Sequence, residues 1–170
     1  MLKKSVLWNI VVFNTNWFGL IFIGNLFIPV AVILLSVQCW YLKTSKNELL
    51  LICLVSALGI LLDLALVYGG VFIFPNTTGL PFWLIALWFC FASTIRHSLA
   101  FLANSKVLQF IFGGLLAPFS YLAGANFAVV TLTPSLGESY LLLACLWGPL
   151  MLLIFALSRW LQLGGKSHVS

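Results

Sequence analysis

Two ionisable side chains, His97 and Asp63, interrupt long apolar stretches of this chain. Inside a membrane such groups are costly and mark functional sites by default, because hydrocarbon does not solvate charge. Ser93 lies four residues before His97, so on a helix the hydroxyl and the imidazole would share one face. His97, Ser93 and Asp63 are therefore the candidate catalytic residues, and Asp63 is also a candidate proton or cation site.

Other polar residues are expected to gather around these candidates. Asparagine side chains in the first apolar segment match His97 in depth and can cross to a neighbouring helix. Arg96 is expected to extend its side chain to the headgroups as a positively charged anchor. Tyr121 is the expected partner of Asp63. The residues of the predicted polar clusters are Asn9, Asn14, Asn16, Ser93, Arg96, His97 and Tyr121.

The composition indicates a membrane protein. The 170 residues are 63% hydrophobic and only 6% charged, which is far more apolar than a soluble domain of this size requires. The polar breaks divide the chain into six apolar segments of roughly the 20 residues that a helix needs to cross a bilayer. We therefore predict an all-α, polytopic membrane protein with a single domain over residues 1–170, a bundle of six transmembrane helices. The predicted spans are about 5–23, 26–42, 48–72, 81–103, 107–130 and 139–162.

Loop charges predict the orientation of this bundle. Lys3 and Lys4 precede the first span, Lys43, Lys46 and Lys106 lie in alternate loops, and Arg159 and Lys166 lie at the end of the last span. The other three loops carry no basic residue. Because basic loops stay on the cytoplasmic side, both termini are predicted to be cytoplasmic. On this topology the helical rise separates Asp63 and His97 by roughly 13 Å in depth. We therefore predict two sites and no catalytic dyad between these residues.

Several classes of function are excluded. The basic residues are spread singly and form no stripe with aromatic residues, so nucleic acid is not an expected partner. The chain has no phosphate-binding glycine loop, no dinucleotide fingerprint and no zinc-hydrolase motif, and its four cysteines show no metal-ligand spacing. We predict no cofactor and no metal.

Three stretches resemble a family of small, six-span bacterial inner-membrane proteins of unknown function: GILLDLAL, STIRHSLAFL and GGLLAPFSYLAGA. The resemblance implies a multi-pass protein of the bacterial plasma membrane. It also implies a role near lipid-modifying enzymes, such as methyltransferases similar to cyclopropane-fatty-acid synthase, whose genes often neighbour those of the family. Family members often carry Asn in place of Arg96, which implies that His97 is the residue of interest. Ser93 and His97 also resemble the Ser-x-x-x-His motif of membrane zinc hydrolases, whose second histidine motif is missing here.

The sequence is compatible with three functions and identifies no reaction. The first is a role in membrane-lipid modification, as an enzyme or as a partner of lipid-modifying enzymes in the bilayer. The second is a small transporter or channel component that uses Asp63 as its proton or cation site. The third is a structural or assembly protein, in which every polar side chain only joins helices.

Overall fold

A computed structural model describes residues 4–75, 77–133 and 135–164. Asn76, which begins the glycosylation sequon Asn-Thr-Thr, and the tail with Lys166 and His168 lie outside these ranges. The described chain is mostly helical, and four of its helical stretches are long and apolar enough to cross a membrane. These stretches are Lys4–Tyr41, Lys46–Tyr68, Lys106–Asn126 and Leu136–Leu163.

The chain forms two compact units. Unit one comprises Met1–Ile60, Pro81–Phe101 and Leu157–Ser170, and unit two comprises Leu61–Leu80 and Leu102–Ala156. The helices of the chain as a whole are α1 (Lys4–Ile23), α2 (Ile28–Tyr41), α3 (Lys46–Tyr68), α4 (Phe82–Ala92), α5 (Lys106–Ile111), α6 (Ala117–Asn126) and α7 (Leu136–Gly164). The strands of the chain are β1 (Phe72–Ile73) and β2 (Thr131–Leu132). Both α3 and α7 contribute one part to each unit.

In unit one, α1, α2 and α4 pack against each other around Leu20, Ala31 and Cys90. A four-residue 3-10 turn, Gly24–Phe27, separates α1 from α2, and Gly24 takes a φ of +67° that favours glycine. The Asn25 side chain from this turn accepts a hydrogen bond from the Trp83 N–H, at 3.0 Å. The side chain thereby satisfies one of the unpaired donors at the start of α4.

The fourth predicted span, 81–103, ends as an α-helix much earlier, at Ala92. The Ser93 hydroxyl donates to the carbonyl of Cys90 at 2.7 Å, and the Thr94 hydroxyl donates to Phe91 at 2.6 Å. Hydroxyls that bond carbonyls three residues back compete with the helix ladder. Residues 93–99 are instead a series of turns, here called the turn segment, and a 3-10 turn follows at Ala100–Leu102.

In unit two, two further predicted spans end early, and short strands follow both. The span predicted for 48–72 stops at Tyr68, where Gly70 has a φ of +70°, and the span predicted for 107–130 stops at Asn126. The strands β1 and β2 then pair antiparallel, with Phe72 opposite Leu132. Two-residue strands show no alternation in the sequence, so the sequence analysis missed them.

A π-helical segment, Phe112–Leu116, lies between α5 and α6, just before Pro118. Proline has no N–H to donate to the carbonyl four residues back, and a wider turn accommodates this loss. The Tyr140 hydroxyl donates to the carbonyl of Leu115 at 3.0 Å and so satisfies one acceptor of the irregular backbone.

Candidate functional site

The candidate site lies in unit one, where several helix ends meet. The Trp8 and Tyr41 rings lie 5.7 Å apart and join the start of α1 to the end of α2. The Asn47 amide donates to the carbonyl of Leu161 at 3.1 Å and joins the start of α3 to the last turns of α7. We call this region the basic end, because unit one carries five of the six described lysine and arginine residues: Lys4, Lys43, Lys46, Arg96 and Arg159.

The Asn9 side chain holds the turn segment in place. Its Nδ2 donates to the carbonyl of Ser93 at 3.3 Å, and its Oδ1 accepts from the Ser98 N–H at 3.1 Å. Asn9 is fully buried, so both bonds form away from solvent. A non-helical backbone is tolerated at membrane depth only where protein groups satisfy it, and a buried amide does so here.

The Ser93 hydroxyl is bonded on both sides. It donates to Cys90, as described above, and accepts from the Gln38 Nε2 at 2.9 Å. A serine nucleophile needs an adjacent base that removes its proton, and here that proton is directed at a backbone carbonyl. This geometry makes Ser93 a structural residue, which weighs against the Ser-x-x-x-His resemblance.

Arg96 also makes specific contacts that the sequence analysis did not predict. Its Nε donates to the Ser158 hydroxyl at 3.2 Å, and its Nη2 donates to the Ser158 carbonyl at 3.0 Å. The side chain is therefore a fork that binds the last turns of α7, and it is only partly exposed. This contact replaces the expectation that Arg96 simply extends to the headgroups.

His97 forms an ion pair that the sequence analysis missed. Its Nε2 lies 2.6 Å from Oε1 of Glu48, in the first turn of α3, and the two side chains are 18% and 14% exposed. A carboxylate at this distance fixes the orientation of the imidazole. Both side chains are partly exposed, so solvent reaches the pair.

The three asparagines predicted to join the polar cluster have three different roles. Asn9 bonds the turn segment, whereas the exposed Asn14 donates to the carbonyl of Ile10 in its own helix at 2.8 Å. Asn16 is fully buried, and neither amide atom has a hydrogen-bond partner among the described residues. Asn14 and Asn16 are therefore not bonded to Ser93 or His97.

Asp63 and Tyr121 form the second predicted site, in unit two. The Tyr121 hydroxyl donates to Oδ1 of Asp63 at 2.9 Å, which is the pairing expected from the sequence. Asp63 is fully buried, and the Tyr121 ring stacks on Phe72 with centroids 5.1 Å apart. Burial of a carboxyl is costly unless it is paired, and the phenol of Tyr121 supplies one partner. Among the described residues, no group of histidine, cysteine and acidic side chains could hold a metal ion.

Comparison with known proteins agrees with the resemblance at the level of the family. A family model described as a protein of unknown function, DUF2878, matches residues 6–153. No curated protein and no solved structure matches the chain. The match covers α2 to α6 completely, together with His97, Glu48, Asp63 and Tyr121. The chain therefore belongs to the DUF2878 family of proteins of unknown function.

Proposed function

We propose that this protein crosses a bacterial inner membrane six times, with both termini in the cytoplasm, and acts in membrane-lipid modification through His97 and Glu48. The four long apolar stretches support a membrane location, and the first of them contains two helices, α1 and α2. The α4 helix has only 11 residues, and the turn segment bound by Asn9 would complete its crossing. The basic end supports the proposed orientation, since lysine and arginine favour the cytoplasmic side.

The His97–Glu48 pair is the observation that carries the chemical part of this proposal. A histidine that a carboxylate orients is the usual arrangement for a general acid or base. The pair is partly exposed and lies at the basic end, which would be at the level of the cytoplasmic lipid headgroups. The protein would therefore take a proton from, or give one to, a lipid headgroup or a partner enzyme's substrate. The family resemblance to proteins encoded near lipid-modifying enzymes supports the same role.

A structural or assembly role is the second candidate, and the contacts of Asn9 and Arg96 favour it. Both side chains bind backbone groups at the basic end, as expected of residues that only join helices. The transport alternative depends on Asp63, whose burial is compatible with a proton site.

The deciding experiment is lipid analysis of a deletion strain complemented with variants. We expect His97→Ala and Glu48→Gln to reach the membrane at normal levels but to leave the lipid composition of the deletion strain uncorrected. Glu138→Gln is the matched control, because it makes the same change at an exposed glutamate of unit two, and it should restore the wild-type composition. Correction by all three variants would favour the structural role, and failure of Asp63→Asn alone would favour transport.

The topology is tested separately with reporter fusions. A reporter that is active only in the cytoplasm should be active after Ser170 or within 43–47, and silent near Asn76. Activity near Asn76 would overturn the six-span arrangement, since loop charge is the basis of the orientation.

A further inference from the structure

An open cleft lies at the basic end, where α2 stops. It has a volume of about 470 Å³ and is lined by Cys39, Trp40, Tyr41, Lys43 and Thr44. Its lining combines one cation with two aromatic rings, and Trp40 is 81% and Tyr41 50% exposed. Tryptophan and tyrosine are enriched where membrane meets water, and lysine near the membrane surface attracts anionic lipids. The composition of the cleft thus matches an amphipathic, negatively charged ligand.

The backbone at Lys43 determines how the helix ends beside the cleft and which substitutions are tolerated there. Its N–H donates to the carbonyl of Trp40 at 3.2 Å, and the next N–H, of Thr44, donates to Cys39 at 3.0 Å. These two bonds form the Schellman motif that ends many helices. Lys43 stands at the left-handed position of the motif, with a φ of +52°, where glycine is strongly preferred. Replacing this lysine by glycine would therefore not strain the backbone.

The charged group that lines the cleft can bind a ligand. The Lys43 ammonium makes no ion pair with any described residue, although Glu48 lies only five positions further along the chain and pairs with His97. Trp8, whose ring contacts Tyr41, is not part of the lining, so Lys43 is the charged donor of the cleft. A phosphate diester with its glycerol esters offers acceptors of the kind that such a donor binds.

We propose that this cleft binds an anionic phospholipid, with the phosphate on the Lys43 ammonium and the acyl chains along the exposed apolar side of α2. The inference deepens the proposed function, on which its link to lipid chemistry rests, by naming the lipid class. Lys43 and Thr44 precede α3, whose first turn carries Glu48, so the cleft and the His97–Glu48 pair belong to the same end of unit one.

Native mass spectrometry of the purified, delipidated full chain tests this binding. The protein in mild detergent receives an equimolar mixture of phosphatidylglycerol and phosphatidylcholine with identical acyl chains. We expect preferential retention of phosphatidylglycerol, and a roughly fivefold weaker retention in Lys43→Gly, from the loss of one lysine at the membrane surface. Lys43→Gly should fold at least as well as the wild type, since glycine suits this φ. Lys43→Arg should retain the lipid, and Lys46→Ala is the matched control for loss of a nearby exposed lysine.

The contrary results of these experiments can be told apart. Equal retention of the two lipids, or wild-type retention by Lys43→Gly, shows that the cleft does not select anionic lipid. Displacement of the lipid by inorganic phosphate at equal concentration shows that free phosphate is the ligand, which overturns the lipid assignment. Selective binding without any lipid change in the deletion strain would leave this inference standing and overturn only the proposed function.

Discussion

Unit one and unit two both bury polar groups among apolar helices, but they satisfy these groups differently. In unit one, side chains replace missing helix hydrogen bonds: Asn9 and Arg96 bind the backbone of a turn and of a helix end. In unit two, the helix continues through a π segment, and its glycines pack against another helix. A Cβ on Gly113 would lie 2.5 Å from the carbonyl oxygen of Trp147. Unit two also has a backbone-binding amide, Gln109, but it donates to the nearby carbonyls of Leu102 and Ala103. A Cβ on Gly113 meets backbone, whereas on Gly19 or Gly59 of unit one it would meet an aromatic ring.

The ionisable groups of the two units differ in their exposure to solvent. In unit one, His97 and Glu48 form a close pair that solvent reaches, beside several cations. In unit two, Asp63 is fully buried against a phenol, and Lys106 is the one basic residue of the described part. Proton exchange with the aqueous phase therefore requires no conformational change at His97, whereas Asp63 would need an opening of its surroundings.

The largest expected effect tests the packing of unit two. Gly113→Ala should destabilise the protein by about 3 kcal/mol, because the new methyl group meets a backbone carbonyl that cannot rotate away. Gly137→Ala is the control, since a Cβ there meets nothing within 4 Å. Unfolding in mild detergent by heat or by SDS measures both. Equal stability of the two variants would show that close packing does not distinguish unit two.

A smaller effect tests the backbone-binding role of Asn9 in unit one. Asn9→Leu preserves the volume but leaves the Ser98 N–H and the Ser93 carbonyl without this partner, at a cost of about 2 kcal/mol. Asn14→Leu should change the unfolding free energy by less than about 0.5 kcal/mol, because Asn14 is exposed and bonds its own helix. A cost for Asn14→Leu as large as for Asn9→Leu would contradict the assigned roles.

The buried pair of unit two should contribute less than the Asn9 contacts. Tyr121→Phe removes one hydrogen bond and should cost about 1 kcal/mol, within the range measured for bonds between membrane helices. In a double-mutant cycle with Asp63→Asn, the two changes should be non-additive, because each removes the same bond. Tyr68→Phe, at a tyrosine that is 81% exposed, should cost less than half as much. Strict additivity would show that the hydroxyl contributes through other contacts.

The smallest effect concerns Arg96. Arg96→Lys keeps the charge and one donor to the Ser158 carbonyl, but it loses the second arm of the fork, so we expect a loss of about 0.5 kcal/mol. Ser158→Ala removes only the hydroxyl acceptor and should cost about the same. If Arg96→Lys alone abolished complementation while the protein inserted normally, the guanidinium would have a role beyond this contact.

Much of the fold followed from the lengths of the apolar runs. The spans predicted for 5–23 and 139–162 agree closely with α1 and α7, because a run of about 20 apolar residues leaves a helix few alternatives. The Asp63–Tyr121 pairing was also predictable, because the chain has few polar groups at that depth. The ends of α3, α4 and α6 were not, since they depend on a left-handed glycine, on hydroxyl groups that bond carbonyls, and on a strand pairing between distant loops.

The sequence by itself determined that the chain is an apolar, helical protein with few charges, and which residues carry them. Only the tertiary structure decided which charges meet. His97 and Glu48 are 49 residues apart, and Glu48 reads from the sequence as an ordinary acidic residue in the first turn of a helix. Its rarity, as one of three acidic residues, was the available signal. The sequence does not reveal this pairing, because contact between side chains on two helices depends on how the helices pack and rotate. Periodicity within one helix encodes neither.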